Sequence, residues 1–308
     1  MTGFAAAAAD YLATRRAMGY KLTCQGQMIR QFAAYLDDAG ASHLTIAHAL
    51  SWARQPAGAA PVWHAARLST ARCFARYLSA LDPATEVPPA GLLPQPSHRI
   101  VPYIYSARDI AALLQAAGQL SPEHRADTCQ TLIGLLAVTG MRPGETSRLD
   151  RDDADLDQGL LTIRNTKFGK SRQIPLHPTT VAALAGYARR RDQRQPGPAP
   201  ASFFTSPAGT RLRADKVCAV FPRLVRETGL TSPGRLRPPR LHDLRHTFAV
   251  RSLIGWYRDG ADVEQRLPLL STWLGHAAPR HTYWYLTAVP ELLELIAERI
   301  DATAQARR

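Results

Sequence analysis

Apolar residues return every three to four positions through the first 80 residues of the chain, and no stretch there alternates with the two-residue rhythm of a strand. FAAAAADYLATRRAMG, QMIRQFAAYLDDAG, LTIAHALSWAR and WHAARLSTARCFARYLSAL each predict a helix, with Gly19 and Gly40 where C-caps fall. The pattern then breaks. DPATEVPPAGLLPQPSHRIVP is too dense in proline for a helix or a central strand and reads as an extended connector.

Periodicity resumes with SARDIAALLQAA, a helix with Ser106 as N-cap and Asp109 at its third position. CQTLIGLLAVTG is apolar on nearly every side, as a buried central helix must be. LLTIRN and SRQIPL flank a turn containing Gly169 and predict a β-hairpin. PTTVAALAGYARRRDQR is helical again, and SFFTS allows one more short strand. Apart from the loop TSPGRLRPPR, the rest is mostly helical, with residues around 255–268 expected to lengthen a loop between helices. In the final segment Leu292, Leu293, Leu295, Ile296 and Ile300 recur at helical spacing behind Pro290, a favoured first helical residue. No internal repeat interrupts the chain. The expectation is a mainly α protein with a small antiparallel β-sheet: a helical domain over 1–85, a Pro-rich linker over 86–102, and an α+β domain over 103–308.

A length of 308 residues and a hydrophobic content of 45% suit two globular domains with cores of their own. Charge narrows the partner. The net charge is +13, with residues 1–100 carrying +4 and the remainder +9. Such an excess on both sides of the linker favours a polyanion, nucleic acid before an anionic membrane surface. Arg67, Arg72 and Arg76 form a stripe on the last helix of the first domain, either phosphate-facing or simply solvated. Only four of the basic residues are lysines (Lys21, Lys167, Lys170 and Lys216), so each lysine is a distinctive titratable ammonium. The cysteines Cys24, Cys73, Cys129 and Cys218 are scattered, as reduced thiols in a cytoplasmic protein are. The N-terminal segment reads as a helix and not as a signal peptide, and no apolar run reaches the length of a membrane span.

Two chemistries compete in LHDLRHTFAV. His242 and His246, four apart, would share a helix face as zinc ligands do, whereas His242 and Arg245, three apart, would suit a phosphate. The zinc reading needs a third ligand and a glutamate beside the first histidine, where Asp243 stands instead. Other stretches favour phosphate. Arg142 precedes Pro143 at a helix start, and Glu145, three further on, can fix its guanidinium. The hairpin turn offers Lys167 and Lys170, and His276 follows a Leu-Gly helix end with Tyr283 and Tyr285 soon after.

Arginine, hairpin lysine, His-x-x-Arg, Leu-Gly-His and tyrosine, in that order, resemble the tyrosine recombinase (phage integrase) family across the whole second domain. The helical first domain resembles that family's core-binding domain. The resemblance implies DNA cleavage and rejoining through a 3′-phosphotyrosyl intermediate, with no metal, ATP or other cofactor. It implies Arg142 and Arg245 as a phosphate clamp and Lys167 as general acid towards the leaving 5′-oxygen, with Lys170 as a DNA-contacting neighbour. His242 and His276 would hydrogen-bond the phosphate and assist proton movement, and Glu145 would be a supporting orienter. Tyr285, nine positions after His276, would be the nucleophile, with Tyr283 as competitor. The implied partners are double-stranded recombination sites and further copies of the chain, as a dimer on a core site and a tetrameric synapse, with the C-terminal helix docking on a neighbour. An integrase or transposase of a mobile element leads. A topoisomerase of type IB, an Xer-type dimer resolvase and a DNA-binding protein without catalysis are the alternatives.

Overall fold

The computed structural model describes residues 3–55, 57–94, 101–164, 171–195, 197, 200–231, 237–276, 278, 280–287 and 289–306. The chain divides into two compact units, Met1–Arg99 and Ile100–Arg308. The first is built around one buried cluster and the second around two.

In the first unit, α1 (Phe4–Ala17), α2 (Thr23–Asp38), α3 (Ile46–Arg54) and α4 (Pro61–Leu78) close over Phe32, Leu36, Trp52 and Phe74. Thr45 caps α3 by accepting from the His48 amide at 3.2 Å, and Pro61 occupies the first turn of α4. The proline-rich stretch departs from expectation, because its first half is packed and not free. Leu93 joins the core, the Glu86 amide donates to Leu44 O at 2.8 Å, and the Glu86 carboxylate accepts from the Ile46 amide at 2.7 Å.

Two of the three stripe arginines find partners within the first unit. Arg67 is 8% exposed; its guanidinium lies 3.8 Å over the Trp52 ring and donates to Trp52 O at 2.8 Å. Arg72 donates to Pro88 O and Pro89 O at 2.7 and 2.8 Å. Burial strips water from these guanidiniums, so nearby carbonyls become their partners. Arg76 alone of the three is exposed.

The second unit runs α5 (Ala107–Gly118), α6 (Glu123–Thr139), α7 (Pro143–Thr146), β1 (Ala154–Asp155), β2 (Leu160–Ile163), β3 (Arg172–Pro175), α8 (Pro178–Arg194), α9 (Ala214–Glu227), α10 (Asp243–Arg258), α11 (Val263–Leu274), α12 (Arg280–Tyr283) and α13 (Pro290–Ala306). Ser106 and Asp109 cap α5 reciprocally. Helix α6 is the buried centre, with Leu132, Ile133, Leu135 and Leu136 enclosed. The described strands form an antiparallel sheet in the order β1-β2-β3, with Leu161 opposite Ile174 and Ile163 opposite Arg172.

Two local expectations fail. SFFTS makes no strand: Ser202 and Thr205 form single bridges to Asp150 and Arg211, while Phe203 and Phe204 are buried in the core. Residues 255–268 extend helices more than they lengthen a loop. Helix α10 continues to Arg258, and α11 begins at Val263, capped by Asp262 accepting from the Gln265 amide at 3.1 Å. Val263, Leu267 and Leu270 recur at helical spacing and are buried beneath it. Among the described residues no helix is long and apolar enough to cross a membrane.

Replacing Arg67 by Ala should destabilise the protein by about 2 kcal/mol, through loss of a buried hydrogen bond and a cation–π contact. Urea unfolding measures that loss. The salt dependence of binding to duplex DNA should be unchanged; a slope shallower by about one would place Arg67 on a phosphate.

Candidate functional site

Three consecutive carbonyls end α11, and each receives a different arginine. Trp273 O accepts from Arg172 Nε at 2.6 Å, Leu274 O from an Arg245 Nη at 2.5 Å, and Gly275 O from an Arg142 Nη at 3.1 Å. Helix C-termini leave such carbonyls without intrahelical partners, and the macrodipole adds partial negative charge there. Gly275 closes the helix at φ +64°, and a Cβ on it would stand 2.8 Å from Arg172 Nη1. Helix α6 supplies a second such end: Gly140, at φ +63°, presents its carbonyl to Arg245 at 2.9 Å.

Glu145 ties two of these arginines together. Its carboxylate accepts from Arg142 Nη1 at 2.7 Å and from Arg172 Nη2 at 2.8 Å, and also from the Arg142 amide at 3.0 Å. Burial alone would raise the Glu145 carboxyl; the Arg172 hydrogen bond and charge, then those of Arg142, overturn this and hold it at about 2. Arg245 is 2% exposed, and its described hydrogen bonds go to carbonyl oxygens. Burial, then the charge of Arg142, lowers its pKa to about 10, so it remains cationic at neutral pH. Two of the three guanidiniums thus share one carboxylate, and the third rests on carbonyl oxygens.

Burial and the guanidiniums drive two histidines beside them, His242 and His276, towards the neutral form. Burial, followed by the charges of Arg245 and Arg142, pushes His276 down to about 3, and its Nδ1 lies 2.8 Å from Thr282 Oγ1. His242, at the N-cap of α10, is lowered by burial and then by Arg245. Tyr285 follows α12 on a 3₁₀ turn, Trp284–Thr287, and is 2% exposed. Its ring lies nearly parallel to His276, 6.2 Å between centroids, and its hydroxyl is 3.0 Å from His246 Nδ1. Tyr283 is 49% exposed.

The structure therefore brings Arg142, Glu145, Arg245, His276 and Tyr285 into one neighbourhood, with His242 stacked edge-on to His246 at 5.1 Å. Lys167 and Lys170 lie outside the described residues. Sequence reasoning missed Arg172, although it is two residues from buried Ile174 and so shares its face of β3. It singled out His246 only as a possible zinc ligand, whereas the ring meets Tyr285, 39 positions away. Among the described residues no three His, Cys, Asp or Glu side chains assemble as a metal-ligand set.

The model of the phage integrase family matches residues 105–291, an interval that spans every residue of this site. The chain belongs to the phage integrase family. A protein of Sinorhizobium fredii named as integrase/recombinase y4rB is 42% identical over 98% of both chains. Among solved structures, this family member's fold resembles the Tn1549 transposon integrase in complex with a circular intermediate DNA, at TM-score 0.63 and 18% identity over 96% of this chain and 99% of that one. It also resembles a lambda integrase tetramer bound to a Holliday junction, at TM-score 0.61 and 18% identity over 91% and 76%.

Replacing Glu145 by Gln leaves Arg142 and Arg172 facing one another without a counter-charge and should cost about 3 kcal/mol at pH 7. The Glu145 pKa is depressed from 4.5 to about 2, so its contribution is fully present above 4.5 and is lost as pH falls towards 2. Urea midpoints of the two proteins should therefore converge on acidification through that window. A gap independent of pH would contradict the charge argument.

Proposed function

We propose that the chain is a site-specific DNA recombinase, the integrase or transposase of a mobile element, working in the cytoplasm on double-stranded recombination sites. The observation that carries this reading is the Tyr285 hydroxyl held beside His246, with its ring against His276, next to a cluster of guanidiniums. In this reading Tyr285 attacks the scissile phosphate and leaves a 3′-phosphotyrosyl bond and a free 5′-hydroxyl. Arg142 and Arg245 hold the non-bridging oxygens, because planar guanidiniums match a phosphate in bidentate fashion and strengthen as charge develops. Neutral His242 and His276 serve as hydrogen-bonding groups at that phosphate. Glu145 and Arg172 position Arg142, and Lys167 protonates the leaving oxygen. The likeness to a tetramer on a Holliday junction supports assembly as dimers on a core site that pair into a tetramer. In the free chain α13 lies on its own unit, with Leu292 fully buried and Glu291 accepting from Arg258 at 2.7 Å, so docking on a neighbour requires its release.

The test is covalent capture. Nicked duplexes with a randomised core are incubated with the protein, and denaturation-resistant adducts are recovered and sequenced. Wild type should yield adducts on a defined sequence and Tyr285→Phe none; binding without adducts would reduce the chain to a DNA-binding protein. Arg142→Lys and Arg245→Lys should each slow capture by roughly a hundredfold, since a point charge cannot reproduce the fork. Affinity for duplex should also fall steeply with salt, given a net charge of +13. A nearly flat slope would argue against a DNA partner.

A further inference from the structure

We infer that His246, rather than the histidine of the His-x-x-Arg motif, is the group that holds the Tyr285 hydroxyl and takes its proton during cleavage. The inference rests on the recombinase reading above and assigns one step within it.

Tyr285 is 2% exposed, so its proton must pass to a protein group or to water admitted to the site. His246 Nδ1 stands 3.0 Å from Oη, within direct transfer distance. The competing histidines are otherwise placed. His276 lies parallel to the tyrosine ring and points Nδ1 at Thr282 Oγ1, 2.8 Å away. His242 meets the edge of His246, ring planes at 85°. His246 is itself held on three sides, by His242, by Trp284 at 5.7 Å and by Tyr285. It also follows Arg245, whose anchorage on Gly140 O and Leu274 O fixes the first turn of α10. Clamp and acceptor are thus adjacent residues on one rigid element, and the hydroxyl is set relative to the phosphate-binding charge.

The step balances as follows. The Oη–H bond breaks, the proton goes to His246 Nδ1, and an oxygen lone pair forms the O–P bond. The P–O5′ bond breaks and its oxygen is protonated by a separate acid, assigned to Lys167 above. No oxidation state changes. The surrounding guanidiniums favour the phenolate oxygen as the proton leaves.

A duplex recovered by covalent capture, remade with a 5′-bridging phosphorothiolate at the cleaved position, separates the two ends of the reaction, because sulfur departs without an acid. Lys167→Ala should be slow on the oxygen substrate and largely restored on the sulfur one. His246→Phe, which keeps a ring of similar size, should remain roughly a hundredfold slow on both, with duplex affinity unchanged. His246→Gln, which keeps a hydrogen-bond partner but not a base, should also stay slow on both. Restoration of His246→Phe by sulfur to within about threefold of wild type would overturn the inference. A second measurement needs no variant and no DNA: in wild type labelled with ¹⁵N in its imidazoles, His246 should carry its proton on Nε2. A proton fixed on Nδ1 would overturn the inference by itself. Absence of adducts with wild type would instead remove the recombinase reading, which separates the two failures.

Discussion

The carbonyls of Trp273, Leu274 and Gly275 are the seat on which the cationic site rests. A guanidinium taken out of water needs partners, and a full carboxylate for each would neutralise the charge that a phosphate must meet. Helix-end carbonyls satisfy the N–H groups with fractional charge only. Arg245 is the extreme case, nearly buried yet bonded in the described structure to Gly140 O and Leu274 O. Glu145 supplies the one carboxylate, placed between Arg142 and Arg172. Two positive charges therefore remain in excess among these four side chains.

That excess also explains the histidines. Buried beside guanidiniums, His242 and His276 are driven towards the neutral form and can serve as donors or acceptors without adding repulsion. The same cations favour ionisation of a nearby phenol. Positive charge and proton handling thus fall to different residue types: arginines hold charge, and imidazoles and the hydroxyl exchange hydrogen bonds within it.

The helices and the hairpin were legible because amphipathic spacing and caps act locally: Ser106 with Asp109, and the pairing of LLTIRN with SRQIPL, follow from pattern alone. The ordered residues Arg142, His242, Arg245, His276 and Tyr285 were legible as a family resemblance. What escaped depends on distant partners. Arg67 was read as a surface charge because nothing near it in sequence announces that Trp52, fifteen positions away, would take its guanidinium. Proline density over 83–94 ruled out a helix or central strand but could not reveal that Leu93 and Glu86 would attach the stretch to the first unit. His246 stood out only through its spacing from His242, whereas its partner lies beyond the whole of α11.

The position of the α11 carbonyls near the end of the chain has a consequence for incomplete molecules. Arg142 emerges from the ribosome 133 residues before the carbonyl at 275 that receives it, and Arg172 emerges 101 residues before the one at 273. A nascent chain, or one shortened by a frameshift before that turn, carries most of the arginines but lacks the scaffold that aims them, and lacks the tyrosine too. On the function proposed above, such fragments keep the charge that attracts DNA but lack both the seat of the clamp and the attacking hydroxyl.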